Sequence, residues 1–287
     1  MVDIEFVKQL QGHSGCGLKL YKNNSGSFFL RKDAGTVAYN QRLKKQYVKQ
    51  RLFQLDQVKT PAVLKCGYDK KGVFYFDMEF VNGITMAEYM NRIKIKEIED
   101  LIALLFRSLQ IKNGHIKSTT QSLFKKKIDS LFPLINDINS VRKQALEKLK
   151  AFDFSSVPIS PCCGDLTLEN IILSSSGVYV IDLLDSFCNS WMIDVAKLLQ
   201  DIDLGWSYRH KERDCNLNLR LTMAKQNLLD NLFLMEDGVK NIIVIYHILL
   251  LNVIRIYPYT SDKKTLQFLD NALEKVLTII KTMEENK

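Results

Sequence analysis

From Met86 onward the sequence keeps a helical rhythm, and one short segment breaks it. Ile171-Ile172-Leu173, then Ser174-Ser175-Ser176-Gly177, then Val178-Tyr179-Val180-Ile181-Asp182 reads as strand, turn and strand. A β-hairpin embedded in a helical region constrains the fold more than any other feature of the chain. The first eighty residues differ in kind. Leu18-Lys19-Leu20-Tyr21 and Phe28-Phe29-Leu30-Arg31-Lys32 flank an Asn23-Asn24-Ser25-Gly26 turn, and Val63-Leu64-Lys65 and Val73 to Met78 read as two further strands. Residues 37–55 lack Gly and Pro and predict one helix between them, broken by Pro61 and Gly67. The expected order is a small β-rich lobe, a boundary near Phe80–Gly83, and a larger helical lobe carrying the hairpin. Such a pair of lobes can enclose a cleft.

Charge distribution then locates chemistry that the net value hides. The 40 Lys and Arg against 32 Asp and Glu give +8, a basic balance that first points to nucleic acid or a membrane surface. Yet residues 151–210 hold eight acids against only Lys197 and Arg209, a net −6 inside a basic chain. Acids gathered in so short a window repel one another and call for a counter-charge such as a metal ion. No zinc-finger or RNA-binding signature accompanies the basic excess, so no nucleic-acid partner is expected. The Lys125-Lys126-Lys127 run reads as a solvated helix face. With 46% hydrophobic and 25% charged residues, a disordered chain and a coiled-coil rod are both excluded. The six cysteines form no C-x-x-C pair and the four histidines lie far apart, so reduced, buried thiols are expected and zinc is not. Ile242 to Ile254 is the most apolar run; it is too short to span a bilayer and reads as a core helix. The acidic N-terminus lacks an apolar leader, and a cytoplasmic location follows as an expectation.

Within the acidic window, Cys163-Gly164-Asp165-Leu166-Thr167-Leu168-Glu169-Asn170 precedes the hairpin that ends in Val180-Ile181-Asp182. Asp165 falls on a loop, and the hairpin is expected to return Asp182 beside Asn170. Two oxygen donors at strand ends suit a hard cation such as Mg²⁺. A further carboxylate can take a proton from a hydroxyl nucleophile, which completes the equipment that phosphoryl transfer needs.

These residues resemble the H-G-D-x-x-x-x-N catalytic loop and I-D metal motif of the aminoglycoside phosphotransferase and choline kinase group. The resemblance implies an α+β, bilobal protein-kinase-like fold, with an N-lobe over residues 1–82 and a C-lobe over 83–287. It implies ATP and Mg²⁺ as cofactors, Asp165 as the catalytic residue, and Asn170 and Asp182 as metal ligands. Asp194, in Trp191-Met192-Ile193-Asp194, matches the residue that braces the catalytic loop in this group, and also reads as a helix N-cap. Phe29-Leu30-Arg31-Lys32 resembles the strand ending in the phosphate-binding lysine, which is Lys32. Gly12-His13-Ser14-Gly15-Cys16-Gly17 is a loosely spaced glycine loop in which Ser14 and Gly15 would approach phosphate. Met78-Glu79-Phe80-Val81 resembles the hinge, with Glu79 and Val81 holding the adenine edge and Met78 lining the pocket. Two departures stand out. Cys163 occupies the place of the motif's His, and residues 34–55 contain no acid to pair with Lys32, leaving Gln46, Gln50 or Asp56 as substitutes.

The implied activity is ATP-dependent transfer of the γ-phosphate to a hydroxyl of a small molecule: a sugar, polyol, amino sugar or choline-like alcohol. A protein kinase is the first alternative, but only eleven residues separate Asp182 from Asp194, too few for a peptide-holding segment. A pseudokinase or nucleotide-binding scaffold is the second; the presence of Asp165, Asn170 and Asp182 together argues against it. Asp185 is a further candidate for metal or substrate.

Overall fold

The structure is a computed structural model that describes residues 4–10, 16–109, 111–135 and 140–285. The chain forms two compact units: residues up to Ile84 together with Ile172–Asp185, and Thr85–Ile171 together with the residues from Ser186 on.

In the first unit β1 (Glu5–Leu10), β2 (Gly17–Lys22), β3 (Phe28–Asp33), β4 (Val63–Tyr68) and β5 (Phe74–Glu79) make an antiparallel sheet of order β1-β2-β3-β5-β4. The Asn23 carboxamide closes the β2–β3 turn by accepting from the N–H of Ser25 (3.1 Å) and of Ser27 (2.9 Å). Helix α1 (Asn40–Leu52) is fixed at its start by Asn40, whose side chain accepts from Phe74 N–H and donates to Gly72 O, both at 2.8 Å. Leu43 of α1 then meets Phe74, Phe76, Ala34 and Cys16 in a small apolar core. Across the β3–β5 pair, Arg31 stands opposite Asp77 and binds it through two hydrogen bonds, Nε to Oδ1 at 2.7 Å and Nη2 to Oδ2 at 2.9 Å. Rings of Tyr75 (4.0 Å) and Tyr21 (5.1 Å) cover the same guanidinium.

The hairpin β7 (Ile171–Ser174) and β8 (Gly177–Val180) lies in a three-stranded sheet with β6 (Ile84–Thr85), in the order β6-β7-β8. Lys59 N–H donates to Val178 O and Val180 N–H donates to Lys59 O, each at 2.8 Å. Residues 172–185 therefore belong with the first unit, and the expected division into 1–82 and 83–287 is corrected on that point. Gly83 has a steric reason: a Cβ there would run into the carbonyl oxygen of Leu173.

The second unit is helical: α2 (Met86–Tyr89), α3 (Ile95–Ser108), α4 (Thr120–Asp129), α5 (Ser140–Ala151), α6 (Trp191–Ile202), α7 (Cys215–Phe233), α8 (Gly238–Ile254) and α9 (Lys263–Glu285). Helix α8 is buried nearly all round, with α5, α6, α7 and α9 packed on it. The apolar segment runs further than Ile242–Ile254: Gly238–Tyr259 is long and apolar enough to cross a membrane by length and composition, and 67% of its apolar window is buried inside the fold. The described residues form no disulfide; four of the six cysteines are buried, and Cys66 and Cys215 are exposed.

Asp77 is 1% exposed, so removing it strands a charged Arg31 against its aromatic neighbours. The Asp77→Ala variant is expected to lose roughly 3 kcal/mol, read as a lowered midpoint in urea unfolding; a loss within experimental error would show the pair to be ornamental.

Candidate active site

The segment from Cys163 to Asn170 folds as a tight backbone feature of the second unit. Gly164 takes φ of +86°, a conformation that a side chain would oppose. Thr167 N–H then donates to Asp165 O (2.8 Å), Asn170 N–H donates to Thr167 O (3.0 Å), and Leu168–Asn170 forms a single 3-10 turn. That turn lets the Asn170 side chain fold back: its Nδ2 donates to Asp165 O at 2.9 Å and to Asp165 Oδ2 at 3.2 Å. With the amide nitrogen so engaged, the Asn170 carbonyl oxygen is the donor left for a cation.

The loop is held from α6. Asp194, 2% exposed, accepts the backbone N–H of Cys163 on Oδ2 (2.7 Å) and of Gly164 on Oδ1 (2.8 Å). It is not the helix N-cap: Ser190 is, accepting from Met192 N–H at 3.3 Å. The bracing role alone stands. Cys163 is itself 1% exposed, which leaves its thiol out of reach of any substrate. A second carboxylate, not anticipated from the sequence, holds the other end of the loop. Asp201 is fully buried, accepting from Leu168 N–H (2.6 Å) and from both the N–H and hydroxyl of Ser207 (2.7 Å each). Burial pushes its carboxyl up to about 6, opposed by the hydrogen bonds from Ser207 and Leu168. Also unforeseen is Lys197, one turn beyond Asp194 on α6, whose Nζ lies 3.0 Å from Asp165 Oδ1. The signal was present in the sequence: Lys197 is one of two cations in the acidic window.

The first unit builds its own polar pair. Lys32 Nζ donates to Asp182 Oδ1 at 2.5 Å, with side-chain exposures of 9% and 30%. The partner of Lys32 is thus Asp182 and none of the three α1-side substitutes. Gln46 is buried with neither amide atom hydrogen-bonded among the described residues, Gln50 donates to Pro61 O (2.8 Å), and Asp56 is exposed. Asp182 sits at φ of +55°, an unusual conformation for a residue with a side chain. Asp185 is 43% exposed in its side chain and pairs with Lys45 at 3.2 Å. Of the hinge residues, Glu79 has its N–H committed to Ala62 O (2.9 Å), Met78 packs against the small core, and Val81 is buried. Ser14 and Gly15 lie outside the described residues. Among the described residues no three His, Cys, Asp or Glu side chains gather as a metal cluster. Mg²⁺ keeps several waters and takes few protein ligands, so a single carboxylate or amide oxygen can serve as its protein donor. A cavity of about 480 Å³ lies beside Asp203, Lys225 and Lys275, and its lining includes none of Lys32, Asp165, Asn170 or Asp182.

No protein-family model and no curated protein matches the sequence. Solved structures do match. A thermostable mutant of the aminoglycoside phosphotransferase APH(4)-Ia, in its apo form, superposes with a TM-score of 0.65 at 13% identity, covering 98% of this chain and 95% of that one. The chain has the protein-kinase-like fold of these phosphotransferases. A ternary complex of a mutant of the same enzyme with ADP and hygromycin B matches at 0.62 and 12% identity, over 98% and 94% of the two chains. A glucosamine kinase matches at 0.53 and 10%, over 96% and 94%. The expectation of an α+β fold with a small sheet-bearing part and a larger helical part is met.

Asp201 offers a test of the loop's anchoring. A carboxyl whose folded value lies above its ordinary 3.8 binds its proton more tightly in the folded chain. Its contribution to stability is fullest below that ordinary value and diminishes as pH rises towards about 6. The stability of the wild type relative to Asp201→Asn is expected to fall across this window, by at most about 1.4 kcal/mol per pH unit. Urea titrations at a series of pH values read that slope, and a difference independent of pH would contradict it.

Proposed function

We propose that the protein is a phosphotransferase that moves the γ-phosphate of ATP to a hydroxyl of a small molecule, such as a sugar, polyol, amino sugar or choline-like alcohol. The observation that carries this reading is Asp165 with the Asn170 amide folded onto it, on a loop tied down by Asp194. Phosphoryl transfer asks a protein mainly for positioning and charge, and a loop fixed at both of its N–H groups supplies the first. The ADP and hygromycin B bound in one neighbour's complex support a nucleotide and a small acceptor for this fold.

In this reading Asp165 orients the acceptor hydroxyl and takes its proton on a carboxylate oxygen. Lys32 is the phosphate-neutralising cation. Asn170 and Asp182 would hold Mg²⁺, which supplies positive charge against the phosphates. Met78, Glu79 and Val81 are assigned to the adenine edge, with the Glu79 carbonyl rather than its N–H as the usable group. Ser14 and Gly15 are assigned to the phosphates. The eleven residues between Asp182 and Asp194 favour a small acceptor over a peptide. Cysteines that form no disulfide among the described residues, and a largely buried apolar helix, support a cytoplasmic enzyme.

Asp165→Ala is expected to reduce transfer by about a hundredfold or more while ADP affinity, measured by calorimetry, stays nearly unchanged. Asp182→Asn is expected instead to weaken Mg²⁺-dependent nucleotide binding. Undiminished turnover in Asp165→Ala, with an acceptor found by screening hydroxyl compounds, would refute the assignment.

A further inference from the structure

The second unit surrounds Asp165 with more positive charge than a proton acceptor needs. Lys197 lies against one of its oxygens at 3.0 Å, with its side chain 16% exposed. Arg255, capping the C-terminal end of α8, is half-buried and holds its guanidinium 5.3 Å above the Phe187 ring. Its polar partner is the Asn252 side chain at 3.5 Å, and it forms no ion pair among the described residues. Asp165 is the carboxylate whose charge reaches it. Lys127 of α4 is half-buried too, without an ion pair among the described residues, and near enough to Arg255 for the two charges to oppose each other. The floor is aromatic: Phe187 meets Phe124 edge-on at 5.0 Å, and Phe124 lies one turn before Lys127.

Lys197 and Arg255 thus share one carboxylate, and Lys127 adds a further cation beside Arg255. A half-buried arginine without an ion pair is costly unless something anionic completes it, and its planar fork suits phosphate or carboxylate. A polycation would be repelled here, and a neutral alcohol would leave the charge unmatched.

We propose that the acceptor is itself an anion, a hydroxy compound bearing a phosphate or carboxylate group that Arg255, Lys127 and Lys197 hold while its hydroxyl meets Asp165. This rests on the phosphotransferase reading. The Phe187 ring, backed by the buried Phe124, would pack the carbon skeleton. In the transfer step the acceptor's O–H bond breaks with its proton passing to Asp165, the oxygen bonds the γ-phosphorus of ATP, and ADP leaves with the electrons of the broken P–O bond.

Two measurements separate the inference from the reading beneath it. In the first, inorganic phosphate is titrated into the protein saturated with ADP and Mg²⁺, and thermal unfolding is followed. Phosphate is expected to raise Tm, with roughly tenfold weaker binding in Arg255→Gln and partial recovery in Arg255→Lys. Lys127→Gln, a change nearer the surface, is expected to weaken phosphate binding in the same direction. A wild type that ignores phosphate would overturn the inference whatever the protein catalyses. The second measures transfer to matched acceptors: glycerol against glycerol 3-phosphate and glycerate, and glucose against glucose 6-phosphate and gluconate. The charged members are expected to be preferred by roughly tenfold or more in kcat/KM, with Arg255→Gln raising KM for the acceptor and not for ATP. Preference for the neutral members or for a cationic aminoglycoside, or a change confined to the KM for ATP, would overturn the anionic acceptor while leaving the phosphotransferase in place. Failure to phosphorylate any acceptor would instead remove the reading beneath it, with the phosphate titration still deciding the anion site. The phosphate and carboxylate arms distinguish which anion the site prefers.

Discussion

Two backbone N–H groups, those of Cys163 and Gly164, end on the two oxygens of the Asp194 carboxylate. A charge this deeply buried is tolerable only while its hydrogen bonds last. The loop and the first turns of α6 therefore cannot shift independently. Everything else about Asp165 follows from that constraint. The left-handed Gly164 sets the direction of the next residue. The 3-10 turn that follows brings Asn170 back onto Asp165, and Asp201 secures Leu168 at the far end. Lys197 arrives beside Asp165 because it rides on the same helix as Asp194. One carboxylate thus fixes both Asp165 and its cationic neighbour.

The first unit solves a different problem. Lys32 and Asp182 are a pair of opposite charges separated by 150 positions in the chain. The hairpin that carries Asp182 is attached through the Lys59 backbone and the side chain of Lys49, which reaches Leu184 O. The unusual backbone of Asp182 is thus held in place from both sides of the hairpin. With Lys32 already matched, an acid on α1 is unnecessary for neutralising it, which is a physical reason why that helix can lack one.

Much of this was readable from the residues alone, wherever the signal is local. The turn at Asn23-Asn24-Ser25-Gly26, the hairpin around Ser174-Ser175-Ser176-Gly177 and the helix over residues 37–55 depend on neighbours in sequence, and the structure contains all three. The loop motif at Asp165 and Asn170 is similarly local. The misses are long-range or patternless. Strand β1 is exposed along nearly its whole length, so no alternation of apolar and polar residues announces it. The hairpin's place with the first unit depends on Lys59, more than a hundred residues upstream. Nothing in a sequence marks an ion pair across 150 positions, so the pairing of Lys32 with Asp182 is not visible there. Asp194 reads equally well as a cap or a brace, and only the geometry around Ser190 separates the two. Asp201 looks like any other acid late in a helix until Ser207 and Leu168 are seen to converge on it.

The distribution of thiols has a practical consequence. The two exposed cysteines fall one in each unit, Cys66 on β4 and Cys215 at the start of α7, while the other four are buried. The natural chain therefore carries one accessible labelling position per unit, and a pair of dyes could follow the separation of the units in solution without altering a single residue of the protein.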